Sequence, residues 1–145
     1  MLSLSLAQQL KASGLDWTVA RHDYFSVPDR GLDETIFVIS DMTVMVERLS
    51  GRLAVTFHGA VEWALDHVEI AELVWLPRED QLRERLEQHL VGEPEPALVL
   101  ASTADGYRCE IKFQGEFLAF EAFGASDAYG QALLFLLHNE HLKAE

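Results

Sequence analysis

Apolar residues at the start of the chain recur every fourth position: Leu2, Leu6 and Leu10, with Ala7 beside them, predict one stripe of a short amphipathic helix. Ser3 stands where a side-chain oxygen can cap the first helical N–H groups, and Lys11 suits the negative end of the helix dipole. Gly14 can take the left-handed conformation that closes a helix, which lets Leu15 fold back on the last turn. Beyond it Trp17, Val19, Tyr24, Phe25 and Val27 follow no clean period as far as the turn-forming Pro28-Asp29-Arg30-Gly31.

Strand character follows. Residues 35–40 (TIFVIS) are dense in β-branched and aromatic side chains, residues 43–49 alternate Val44, Val46 and Arg48 against Met45, Glu47 and Leu49, and residues 52–57 (RLAVTF) come after a Ser50-Gly51 turn. Together they predict a three-strand antiparallel meander. Residues 60–76 satisfy two periods: Val61, Ala64, Leu65, Val68 and Trp75 fit a helical stripe, while Val61, Trp63 and Leu65 also alternate as a strand would. Glu62, Asp66 and Glu69 would share the opposite helical face, which tips the expectation toward helix. Pro77 restarts the chain into a clearer helix, with Leu82, Leu86 and Leu90 on one stripe and Glu79 and Asp80 in an acidic first turn.

Residues 92–96 (GEPEP) read as a loop inside one domain, because the remainder is too short for an independent core. Residues 97–102 suggest a short strand. Residues 107–113 and 116–123, joined at Gln114-Gly115, predict a hairpin, and Ser126 is placed to cap a last helix running to about His141. Strand groups separated from helices, without steady β-α alternation, define an α+β fold. The expectation is a single domain over residues 1–145, a mainly antiparallel sheet packed against N-terminal, central and C-terminal helices.

Charge and composition then narrow the function. The 145 residues are 49% hydrophobic, as a globular chain requires, and carry 24 Asp and Glu against 11 Lys and Arg, a net charge of −13. That balance opposes binding to a phosphate backbone, so no nucleic-acid partner is expected. It serves solubility or steers a basic protein partner. The lone Cys109 cannot form a disulfide within the chain, and a reducing cytoplasmic setting fits. The opening MLSLSLAQQLKAS lacks a basic first segment and is broken by Gln8, Gln9 and Lys11, so no export signal is expected. No run approaches the ~18 apolar residues of a membrane span, so no membrane partner is expected either.

Residues capable of chemistry are scattered. His138 and His141 are three apart on the last helix and so neighbours, but they do not match the four-residue spacing of zinc proteases and lack an evident third ligand. Asp66-His67 and His22-Asp23 put carboxylate beside imidazole in sequence, yet adjacent side chains on a helix or strand diverge. Ser40 with Asp41, and Ser126 with Asp127, lack a Gly-flanked nucleophile elbow and suit turns and caps. Cys109 lies in an alternating strand and is expected to be a buried, inert thiol. Glu62, Asp66, Glu69 and Glu72 could bind a hard cation, although the same spacing makes a solvated helix face. Neither Gly-rich nucleotide fingerprint occurs, and no catalytic, cofactor or metal residue is assigned.

The last helix carries a different hint. Leu133-Leu134-Phe135-Leu136-Leu137 makes it apolar almost all round, so it needs cover on several sides. Either the sheet wraps it closely, helped by Gly130, or a second copy covers it in a homodimer through the C-terminal helix.

WTVAR at Trp17 to Arg21, VPDRGLD at Val27 to Asp33, ISDM at Ile39 to Met42, EWALD at Glu62 to Asp66, WLPREDQLR at Trp75 to Arg83 and AYGQALL at Ala128 to Leu134 together resemble a family of small uncharacterised bacterial proteins, some loosely labelled pilus-assembly proteins. The resemblance implies a bacterial origin and an accessory role, with no site residues; the chain lacks the phosphate-cradling loop that an assembly ATPase needs. The element order alone is also similar to that of small, acidic, dimeric secretion chaperones. The leading expectation is therefore a non-enzymatic, cytoplasmic protein-binding or accessory domain. The rival is a small metal-assisted or acid-base hydrolase drawing on Glu62, Asp66, His67, His138 and His141.

Overall fold

The computed structural model describes residues 1–29, 31, 35–40, 44–57 and 67–143, with the side chains of 57, 67 and 141–143 outside the description. In chain order the elements are α1 (Leu4–Ala12), β1 (Tyr24–Ser26), β2 (Phe37–Val38), β3 (Val44–Leu49), β4 (Arg52–Phe57), β5 (His67–Glu69), a 3-10 turn (Ile70–Glu72), β6 (Val74–Leu76), α2 (Glu79–Leu90), β7 (Leu98–Thr103), β8 (Gly106–Phe113), β9 (Glu116–Ala122) and α3 (Ala125–Lys143). The fold is α+β. Its strands form three antiparallel sheets of three, ordered β2-β1-β6, β3-β4-β5 and β7-β8-β9. Within the domain expected over residues 1–145, contacts gather into two compact units: Met1–Asp16 with Pro77–Glu145, and Trp17–Leu76.

In the first unit local codes act as the sequence suggests. Ser3 Oγ accepts the Leu6 N–H at 3.4 Å and caps α1. At the other end Gly14 sits at φ 99°, and the N–H groups of Gly14 and Leu15 donate to the carbonyls of Lys11 (3.1 Å) and Leu10 (3.0 Å). That pair of bonds is a Schellman closure, which satisfies carbonyls the helix end would leave open. Leu82, Leu86 and Leu90 are buried along α2, and the Gln114-Gly115 turn has both φ angles positive, as a two-residue type I′ hairpin requires.

The long α3 packs against α1, α2, β8 and β9. Leu133 and Leu136 are buried, Phe135 meets Phe113 edge-on with ring centres 5.7 Å apart, and Phe120 approaches Phe135 at the same distance. A Cβ on Gly130 would come 2.7 Å from Leu6 Cδ2 and 2.8 Å from Leu2 Cδ1, so the missing side chain admits α1 rather than the sheet. The nearly all-round apolar face thus finds cover inside its own unit. The expected cap needs correction: α3 starts at Ala125, the Gly124 carbonyl accepts the Ala128 N–H at 3.1 Å, and Ser126 is buried in the first turn.

The second unit departs further from the sequence reading. A three-strand meander is present, but its members are β3, β4 and β5, with Val46, Val55 and Val68 in one cross-strand row. Residues 37–38 instead pair with β1, which pairs in turn with β6. The reason is an aromatic row: Phe37, Phe25 and Trp75 lie opposite one another across the three strands, and Trp17 stacks on Trp75 at 6.2 Å and 4°. Residues 67–76 are strand, 3-10 turn and strand, which corrects the helical expectation; residues 60–66 lie outside the described ones. β-Branched Val68 and Val74 gain more from pairing with β4 and β1 than from one helical turn.

Candidate functional site

At one end of the β7-β8-β9 sheet, the turn after β7, the exit of β9 and the first turns of α3 surround a groove of about 670 Å³. Asp105, Tyr107, Arg108, Glu121, Phe123, Asp127 and Gln131 are among the residues lining it. Gly106 makes this geometry possible. Its φ is +144°, and a Cβ there would stand 2.9 Å from the Phe123 Cα, so only glycine lets the turn close down on the end of β9.

Two aromatic side chains are spent on this surface. Phe123 is 91% exposed and Tyr107 37% exposed, whereas Phe25 and Phe37 are buried. Around them stand three carboxylates, from Asp105, Glu121 and Asp127, against one guanidinium, Arg108. Arg108 Nε lies 3.0 Å from Glu110 Oε1, and Arg108 stands directly opposite Glu121 in the β8-β9 register. Asp127 Oδ1 accepts the Ser3 N–H at 2.8 Å and sits in the first turn of α3, where the helix dipole favours an anion. Rings flanked by carboxylates attract ammonium and guanidinium groups by charge and by the negative face of the π-system. The lining contains no histidine, cysteine or serine; its hydroxyl groups are those of Thr103 and Tyr107.

The residues singled out in the sequence go elsewhere. His138 Nε2 lies 2.9 Å from Ser13 Oγ, and the His141 side chain is outside the described residues. Asp23 is buried, and its Oδ2 accepts the Trp17 indole N–H and the Ala20 N–H, both at 2.9 Å, so its carboxylate holds a loop. His22 has φ 72° and donates its backbone N–H to the Ile39 carbonyl. Ser40 Oγ accepts the Val44 N–H at 3.1 Å, while Asp41 lies outside the described residues. Glu69 pairs with Arg52 at 3.1 Å, Glu72 accepts the Glu69 N–H at 3.3 Å, and Glu62 and Asp66 are not described, nor is the His67 side chain. Cys109 is fully buried, and burial followed by the neighbouring Glu110 pushes its thiol up to about 11, away from the reactive thiolate range. Among the described residues no group of three His, Cys, Asp or Glu side chains could hold a metal ion, and no helix is long and apolar enough to cross a membrane.

Sequence reasoning missed the groove because Phe123 reads there as the last residue of the 116–123 strand. In the structure β9 ends at Ala122, which leaves Phe123-Gly124 between two elements. Comparison with family models, with curated proteins and with solved structures found no match.

Proposed function

We propose that the protein is a non-enzymatic, cytoplasmic binding or accessory domain, and that the groove at the end of the β7-β8-β9 sheet takes a basic, extended segment of a protein partner. The observation that carries this reading is the pairing of exposed Phe123 and Tyr107 with Asp105, Glu121 and Asp127 around one groove. A lysine or arginine side chain can lay its aliphatic stem on the rings and its charge among the acids, which supplies roughly 0.5–2 kcal/mol for each cation–π contact. The net charge of −13 adds long-range attraction that speeds encounter with a basic partner.

Fluorescence anisotropy with a short labelled peptide of alternating lysine or arginine and leucine tests the proposal. The wild-type protein is expected to bind it, with affinity falling as salt rises, and to ignore the same peptide with glutamate in place of each cation. Phe123→Ala and Glu121→Lys should each weaken binding about tenfold, equivalent to roughly 1.4 kcal/mol. Equal affinity for the wild type and both variants would remove the groove from the account.

A further inference from the structure

The two edges of the β7-β8-β9 sheet are built differently. Edge strand β9 carries Glu116 and Glu121, charges of the kind that keep an edge from pairing. Edge strand β7 reads LVLAST: six residues without a charge or proline. The Lys112 N–H donates to the Ala97 carbonyl at 3.1 Å, so the alternation of an antiparallel ladder turns the backbone groups of Leu98, Leu100 and Ser102 away from β8. Among the described residues no strand pairs with that outer side.

The surroundings carry few free charges, because Glu110 and Arg108, opposite Val99 and Ala101 on β8, pair with each other. A cavity of about 230 Å³ beside the start of β7 is lined mainly by Leu90, Val91, Pro96, Ala97 and Leu98, with Glu87 the charged member. Val91 is 78% exposed and Val99 49%, and nearby Glu95 is held by Lys112 at 3.0 Å. On a molecule of charge −13 a second copy is repelled from most directions, and a contact between copies must fall where the surface is uncharged. A basic segment finds nothing to read on this edge. A neutral strand of matching length does, and the chain carries one in β7 itself.

We infer that two copies of the protein pair through β7 edge to edge, antiparallel, to form one continuous six-stranded sheet. With Leu100 opposite its own counterpart and Leu98 opposite Ser102, the outward backbone groups satisfy each other and both α3 helices stay on one side of the sheet. Such a contact is isologous, as a twofold dimer requires.

Sedimentation velocity over a range of concentrations, at low and high salt, tests this. The wild type should dimerise, and more tightly in high salt, because screening removes repulsion between acidic copies; binding of a basic peptide in the groove has the opposite salt dependence. Ser102→Pro removes one outward N–H while sparing the bonds to β8, and Val99→Glu adds a carboxylate of the molecule's own sign beside the pairing centre and opposite Glu110; each should weaken the dimer at least tenfold. Val99→Glu is the control should Ser102→Pro disturb folding, and it should leave peptide binding unchanged. A wild type monomeric at every concentration and salt, or a dimer indifferent to Val99→Glu, for example one formed through α3, would overturn the inference.

Discussion

The unit made of Met1–Asp16 and Pro77–Glu145 and the unit made of Trp17–Leu76 are held together by different materials. The first uses helices of 9, 12 and 19 residues, in which α1 and α2 pack on α3 and α3 packs on a three-stranded sheet. The second has strands of two to six residues and draws its cohesion from a core of Phe25, Val27, Phe37, Ile39, Val55, Val68 and Leu73, against which Trp17 and Val46 pack. Long elements bring their own hydrogen bonds and caps, so packing only has to orient them. Very short strands satisfy little locally and exist because a few large side chains hold their partners in place. The chain therefore concentrates its sensitivity to substitution differently in the two units.

Removing one core side chain from each unit gives the largest contrast. All three tryptophans fall within residues 17–76 and, among the described residues, every α-helix lies in the other unit, so tryptophan fluorescence and α-helical ellipticity report on the two separately. Phe25→Ala should cost roughly 3–5 kcal/mol, read as an earlier fluorescence midpoint in urea, because it deletes the centre of the aromatic row. Leu133→Ala should cost roughly 2–5 kcal/mol, read in the ellipticity midpoint. If Phe25→Ala left fluorescence unfolding unmoved, the aromatic row would not be what holds the second unit.

A smaller effect sharpens the same point. Asp23→Ala leaves the Trp17 indole and the Ala20 amide without the acceptor they share, which should cost roughly 1–3 kcal/mol and red-shift tryptophan emission as the loop loosens. The smallest effect belongs to the helical unit. The Arg85 guanidinium, 2.9 Å from Asp16, holds the Asp16 carboxyl below its ordinary value of 3.8 by hydrogen bond and then by charge. A depressed folded pKa contributes stability that is present above the ordinary carboxylate range and lost as pH falls through the folded value. Asp16 is largely exposed, so solvent screening limits the gain to about a few tenths of a kcal/mol; Arg85→Ala should flatten the acid limb of a stability–pH curve by that amount.

The same contrast decides what could be read from the sequence. Ser3, Gly14, the Leu82-Leu86-Leu90 stripe and the Gln114-Gly115 turn each carry a local physical code, and each acts in the structure as that code requires. Residues 35–40 and 67–76 carry no such code. Their strands are defined by partners distant in sequence, so β2 goes to β1, and Val68, Trp75 and their neighbours are strands although a helical stripe also ran through them. Ser126 is not the cap because α3 has already begun at Ala125, with the Gly124 carbonyl accepting the Ala128 N–H. The groove was illegible for a related reason: Tyr107 comes opposite Ala122 and Arg108 opposite Glu121 only once β8 and β9 are in register, and Phe123 reaches the turn only because Gly106 lets it close.

Amide chemical-shift mapping during titration with the basic peptide tests the binding account most directly. Shifts centred on Thr103 to Arg108 and on Glu121 to Gln131, shrinking as salt is added, are the predicted result. Saturable shifts centred away from those residues, or none at peptide concentrations that saturate anisotropy, would contradict it.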